Sequence, residues 1–278
     1  MQDNTPTTVG LLVNIGFRMF DPKRRNTQGE REYAAAHGTS VDINKMATRL
    51  VPKKFVDPIQ KATTAARAAV KHLTAPFEDG GNRLVTAALV PKLQDTIARH
   101  KREWQLAVDD YCNQWQDIVT EAQRQLNGDF AKFAHLYPSA DEVRHRFRFD
   151  VTFMPMPDHN NLIEAVRDEM AEVYERRMSA ASSDLRQRLT DKLHHLASRC
   201  AEVGGADSKR FYESNVTNVV ELCELLPDML VQDDPQLLEA IDAARAMLRG
   251  IDADAIKSSP AIAHDVRRQA ESILTSLA

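Results

Sequence analysis

Residues 8–20, TVGLLVNIGFRMF, place Val9, Leu11, Val13, Ile15, Phe17 and Met19 on one parity and Gly10, Leu12, Asn14, Gly16 and Arg18 on the other. A period of two predicts a long strand with one apolar face. The same alternation recurs in RHRFRFDVTF, residues 144–153, where Arg144, Arg146 and Arg148 share one parity and Phe147, Phe149, Val151 and Phe153 the other. Two one-faced strands need each other, because an isolated strand or hairpin is marginal in water. Residues 83–90, RLVTAALV, supply either a third strand or the start of the helix that follows.

Elsewhere the period lengthens to that of a helix. Asp57-Pro58-Ile59-Gln60 reads as an N-cap, a proline at the first helical position and a capping-box glutamine. It would open a helix with Ile59, Ala62, Ala66, Val70 and Leu73 on one stripe. Between about 90 and 126, Leu93, Ile97, Trp104, Val108, Tyr111, Trp115, Ile118 and Ala122 predict one long helix. A second is predicted from Asn161, with Glu164 as its box partner and a stripe from Ile163 to Val203 that stops at Gly204-Gly205. Their matched lengths predict an antiparallel arm, the 144–153 strand lying in an insert at its tip. Shorter helices open at Asp207/Ser208, at Asp234-Pro235 and at Ser259-Pro260.

The expected fold is therefore α+β and predominantly α: a long antiparallel helical arm, a small β-sheet and a C-terminal helical cluster. The expected divisions are 1–89 (strand, basic loop and helix), 90–205 (arm, with a β insert at 127–160) and 206–278 (helical cluster).

Composition adds to this picture mainly through charge. The 278 residues carry a net −4, but residues 1–75 hold 12 Lys/Arg against 6 Asp/Glu and residues 161–278 hold 14 against 21. A basic front and an acidic rear predict a polarised surface and favour head-to-tail self-association. No apolar run approaches a membrane span, and MQDNTPTT lacks the order of a signal peptide. Cys112, Cys200 and Cys223 are odd in number and lie within helical patterns, so they read as reduced core residues of a cytoplasmic protein.

Little in the chain has the spacing of catalysis. VGGADSK (203–209) lacks the spacing of a phosphate loop and reads as two helix caps. His194-His195 are adjacent and so point about 100° apart on a helix, which keeps them from sharing a metal. PDHNN (157–161) reads as a loop and cap, and Asp109-Asp110 as a solvated pair. No enzyme, cofactor or metal site is expected.

The basic elements are more specific. Lys23, Arg24 and Arg25 directly follow the first strand, and Arg144, Arg146 and Arg148 would share the wet face of its partner. Six cations on one surface would suit a phosphate backbone, whereas arginines on a lone strand edge serve to discourage aggregation. Glu221, Glu224 and Asp228, in the acidic rear, are the candidate partner-binding residues.

The runs VNIGFRMFDPKRRN (13–26), LVPKKFVDPIQKATTAAR (50–67) and PFEDGGNRLV (76–85), ahead of a Trp-bearing long helix, resemble a phage and mobile-element family of unknown function. Its members are often encoded beside a MoxR-type AAA+ ATPase and a von Willebrand A protein, or among DNA-recombination genes. The resemblance implies no active-site residues. It implies a non-enzymatic accessory in phage or plasmid DNA biology, as binder or adaptor. The first expectation is an assembly or adaptor module, with an AAA+ ATPase as partner and, from the charge asymmetry, a second copy of itself. The alternative is a sequence-tolerant nucleic-acid-binding protein, for single-stranded DNA, in phage replication or recombination.

Overall fold

The computed structural model describes residues 10–78, 80–156, 164–203 and 211–277. In chain order the first elements are β1 (Gly10–Arg18), β2 (Lys23–Arg25), α1 (Thr27–His37), β3 (Ala47–Arg49) and α2 (Lys53–His72). Then come β4 (Ala75–Pro76), β5 (Arg83–Thr86), α3 (Val90–Asn113), α4 (Trp115–Leu126), α5 (Phe130–Phe133), α6 (Ala140–Arg144) and β6 (Arg148–Pro155). The chain closes with α7 (Glu164–Ala201), α8 (Ser214–Met229), α9 (Pro235–Leu248), α10 (Ala253–Ser258) and α11 (Pro260–Leu277). The protein is α+β and predominantly helical.

One sheet has the order β4-β5-β1-β6, so the two alternating strands are neighbours. The expected single apolar face of β1 is corrected: Leu12, on the other parity, is buried like Val13. Residues 83–86 form the third strand, antiparallel to β1 with Gly10 opposite Thr86 and Val13 opposite Arg83. Gly10 is needed there, since a Cβ would stand 3.0 Å from the Val85 carbonyl oxygen. A separate two-stranded ribbon pairs β2 with β3.

The chain divides into two compact units that do not follow its order. One comprises residues 1–14, 71–93 and 152–278, the other residues 15–70 and 94–151. In the first, α7 is the central element, packed by α8, α11 and β4, and Leu185, Leu189, Leu193 and Leu196 are wholly buried along it. Asp234 caps α9 by accepting from the Leu237 N–H, and Arg186 of α7 grips the same carboxylate at 2.6 and 2.7 Å. Buried thiols sit inside both units: Cys200 and Cys223 in the first and Cys112 in the second, each pushed above its ordinary pKa by burial.

The second unit is built on aromatic rings. Trp104 packs against Phe17, Phe147 and Phe149, and Phe17 and Phe149 bring β1 and β6 together at 4.3 Å between centroids. Tyr111 joins Phe147 to Trp115, and Trp115 meets Phe20 edge-on at 5.5 Å. The buried indole N–H of Trp104 donates to the Thr63 hydroxyl of α2 at 3.0 Å.

Several expectations are corrected. The Trp104–Trp115 stripe was expected to face the 163–203 stripe across an arm, but each is satisfied within its own unit. Aromatic residues of β1 and β6, with α2, cover the first, and α8 and α11 cover the second. Residues 90–126 are not one helix: Gln114, with ψ at 6°, separates α3 from α4. Helix α2 begins at Lys53 and carries Pro58 inside it, because the extra turn buries Val56 in the core that also holds Val51, which offsets the one hydrogen bond that proline removes.

The strand in RHRFRFDVTF starts at Arg148, not Arg144. Ser139 and Glu142 form a reciprocal capping box that winds residues 140–144 into α6 and buries Val143. The expected starts and stops at Asn161, Gly204-Gly205 and Asp207/Ser208 lie outside the described residues, as does PDHNN, and VGGADSK does so from Gly204 on. Asp234-Pro235 and Ser259-Pro260 open α9 and α11 as the pattern predicts.

Trp104→Ala is expected to cost about 3–5 kcal/mol, since it removes a ring only 1% exposed and strands its hydrogen-bond partner. Urea denaturation followed by circular dichroism reads this directly. A midpoint unchanged from wild type would contradict the packing described for the second unit.

Candidate functional site

The second unit carries 19 Lys/Arg against 15 Asp/Glu, a net of +4, while the first holds 17 against 25, a net of −8. The charge asymmetry of the sequence therefore survives folding and separates by unit. Within the basic unit the chemistry concentrates where β1 ends.

Phe20, buried, follows β1 and points its ring into the aromatic core against Trp115. Arg24 of β2 lies over this ring at 5.9 Å, and Arg146, in the turn before β6, lies over it at 5.6 Å. The basic loop and the arginine-rich segment thus meet at one side chain. Arg146 also lies close enough to Glu142 to help hold that carboxyl below its ordinary pKa, after the stronger effect of the Ser139 hydrogen bonds.

Beside this point, Asp21, Lys23, Arg24 and Arg25 together with Lys45 and Met46 before β3 line an open groove of about 380 Å³. Register brings in a further cation, because Lys23 stands directly opposite Arg49 across the ribbon. Like charges opposed across two strands destabilise a ribbon, so an anion lying on it would relieve that repulsion.

A buried carboxylate holds the ribbon in shape. Glu30, on the inner face of α1 and fully buried, accepts from Arg25 Nε at 3.0 Å and Nη2 at 2.8 Å and from the Met46 backbone N–H at 3.0 Å. It therefore fastens both strands' approaches to the helix between them. The Arg25 hydrogen bonds bring its pKa down to about 2, and the same contact raises that of Arg25. Asn26 caps α1 through the Gly29 N–H and donates to Thr48 Oγ1 across the ribbon at 3.0 Å.

Of the six predicted cations, the structure gathers Lys23, Arg24, Arg25 and Arg146 and treats the other two differently. Arg144, at the end of α6, is spent on Asp109, with Asn113 Oδ1 at 3.4 Å. This also accounts for half of the Asp109-Asp110 pair. Arg148 is exposed on β6. Arg24 is shared with Asp21 at 3.1 Å. Lys45, Arg49, Phe20 and Glu30 were not singled out by sequence reasoning. Lys45 and Arg49 become visible only once the β2–β3 register is known, and Glu30 looks like any helix-surface glutamate.

The acidic candidates Glu221, Glu224 and Asp228 fall on the exposed stripe of α8, whose opposite side is buried through Val219, Leu222, Cys223, Leu225 and Leu226. Glu221 lies near His72, where its charge opposes the stronger lowering by burial and Arg188. A larger groove, about 590 Å³, runs along α7 and α11 past His194, Ala197, Ser198 and Ala201. It offers little for recognition, since its charged residues Arg267 and Glu271 pair with each other at 2.7 Å. Among the described residues no three His, Cys, Asp or Glu side chains converge as metal ligands, and no helix is long and apolar enough to cross a membrane.

Comparison of the chain with models of protein families, with curated proteins and with solved structures finds no match in any of the three. The functional reading therefore rests on the geometry around Phe20 and the ribbon.

The acid limit of this arrangement follows from Glu30. Its carboxyl titrates near 2 when folded against an ordinary 4.5, so the stability it contributes is complete above about pH 4.5 and is lost as pH falls toward 2. Hydrogen exchange at the Met46 amide should show protection that declines through that window, and in Glu30→Gln the decline should be absent. Protection in the wild type that is flat from pH 4.5 to 2 would contradict the assignment.

Proposed function

We propose that this protein is a non-enzymatic accessory factor whose basic unit holds nucleic acid by its phosphate backbone, without reading sequence. The observation that carries this reading is the convergence of Lys23 and Lys45, which make no ion pair among the described residues, on one groove with Arg24 and Arg25, which are paired to Asp21 and Glu30, and the meeting of Arg146 with Arg24 at the ring of Phe20. Phosphate contacts need cations on a common surface, and each phosphate neutralised releases counterions. The grouping lacks the features of base reading: no long helix is aimed outward from the ribbon, which is three residues on each strand. The resemblance of residues 13–26, 50–67 and 76–85 to a phage and mobile-element family supports a place in the DNA biology of such elements.

A second reading has its own observation. Glu221, Glu224 and Asp228 form an exposed acidic stripe on α8 in a unit of net −8, which suits docking on a basic protein surface, that of an AAA+ ATPase or of a second copy. Under this reading the protein is an assembly module. Recovery from the host with and without nuclease separates the two: nuclease-sensitive recovery supports nucleic-acid binding, and a stoichiometric ATPase that survives nuclease supports the adaptor.

The direct test of the first reading is Lys23→Gln with Lys45→Gln. Neither ammonium group makes an ion pair among the described residues, and a neutral residue at 45 sets no second carboxylate near buried Glu30, so the fold should be retained. Affinity for oligonucleotides of unrelated sequence should fall uniformly, and the slope of log K against log salt should lose about 0.7 per phosphate contact removed on single strands. Unchanged affinity and slope in a folded double variant would contradict the proposal.

A further inference from the structure

Six large apolar side chains stand exposed among the described residues: Tyr33, Ile43, Met46, Leu106, Tyr212 and Leu238. Three of them, Tyr33, Ile43 and Met46, fall between β2 and β3, the same short excursion that carries the cations. Met46 lines the groove itself. Tyr33 lies one helical turn beyond Glu30, whose carboxylate touches Arg25 and the Met46 N–H, so it projects from the helix that anchors both walls. Its ring is 42% exposed and stacks on His37 at 4.1 Å between centroids and 19° between planes. The His37 Nδ1 lies 3.0 Å from the Tyr33 carbonyl oxygen, which fixes the imidazole in that stack. The result is a flat, preformed π surface on the same helix as Glu30, which bonds Arg25 and Met46 of the cationic groove.

We propose that the Tyr33–His37 pair is a base-stacking platform, and that the ligand of the ribbon is a single strand with unpaired bases. The proposal rests on the reading of the ribbon as a phosphate-binding surface and adds the part of the ligand that the cations do not explain. In a duplex the base faces are occupied by one another, and only the backbone is available to Lys23, Arg24 and Lys45. In a single strand the bases are free to turn onto an aromatic face while the phosphates stay on the cations. Stacking is indifferent to base identity, which agrees with a site that has no base-edge readers. An anionic lipid surface would also meet cations and apolar side chains. A planar two-ring stack and cations set around a concavity fit a base and a phosphate chain better than the flat plane of a bilayer.

The test separates base from phosphate. Binding of the full chain is measured by fluorescence anisotropy for oligo-dT, for an oligomer of abasic deoxyribose-phosphate of equal length, and for duplex DNA. Anionic vesicles of 4:1 phosphatidylcholine and phosphatidylserine serve as competitor. The wild type should bind oligo-dT about 10-fold more tightly than the abasic chain. Tyr33→Ala with His37→Ala should lose that factor for oligo-dT while leaving the abasic affinity unchanged. Both side chains are exposed, so circular dichroism should match wild type. Equal affinity for oligo-dT and the abasic chain, with both binding, would overturn the platform while leaving the phosphate reading intact. No binding to any of the nucleic acids would overturn both. Vesicles that displace oligo-dT at comparable anionic charge would assign the surface to lipid and also overturn the proposal.

Discussion

The basic unit depends on a continuous run of aromatic rings that reaches from its sheet strands to its surface. Phe17 and Phe149 meet between β1 and β6, and Trp104, Phe147, Tyr111 and Trp115 extend the contact to Phe20, with centroid distances from 4.3 to 6.3 Å. Each edge-to-face or tilted pair adds about 0.5–1.5 kcal/mol beyond its burial. The larger consequence is positional. Rings this bulky leave few ways to close the end of β1, and the one adopted turns Phe20 inward and sends the chain out through Asp21 and Pro22 into the basic ribbon. Because Arg24 and Arg146 both lie over Phe20, the core side chain sets the separation of two surface cations.

Electrostatics then divides the labour. Arg144 is neutralised by Asp109 and Arg25 by Glu30, so these two guanidinium groups are structural. A buried carboxylate is costly unless it is fully satisfied, and Glu30 is satisfied by a charge-assisted pair with Arg25 of β2 and by the backbone N–H of Met46, the residue before β3. That fastening allows a ribbon of three-residue strands, with Lys23 opposed to Arg49, to exist at all. Among the described residues Lys23, Lys45 and Arg49 make no ion pair. A surface that concentrates repulsion on a braced support is suited to an anion arriving from outside.

The sequence made the presence of the two strands, the α-rich class and the caps at Asp234 and Ser259 legible, because each is a local pattern with a single physical reading. It hid what depends on pairing. The Trp104–Trp115 stripe shows that it must be covered, yet period alone cannot say whether a helix or a sheet covers it, and strands β1 and β6 do so together with α2. The alternation in RHRFRFDVTF looked like one strand throughout. A capping box at Ser139 and Glu142 overrode its first residues and moved Arg144 to another partner. The cations of the ribbon were half visible: Lys23, Arg24 and Arg25 are adjacent in sequence, whereas Arg49 joins them through a register that composition does not encode and Lys45 by lining the same groove ahead of β3. Glu30 and the Tyr33–His37 stack carried no signal beyond a charged and an aromatic residue on a short polar helix.

The central claim is that nucleic acid lies on the ribbon and the turn before β6, and the most direct measurement of it is photo-crosslinking. A bound oligo-dT is irradiated on the intact protein, and the attached peptides are mapped by mass spectrometry. The account predicts adducts within residues 20–49 and 144–148. Adducts confined to residues 211–277, or binding without any adduct in the two basic segments, would contradict it.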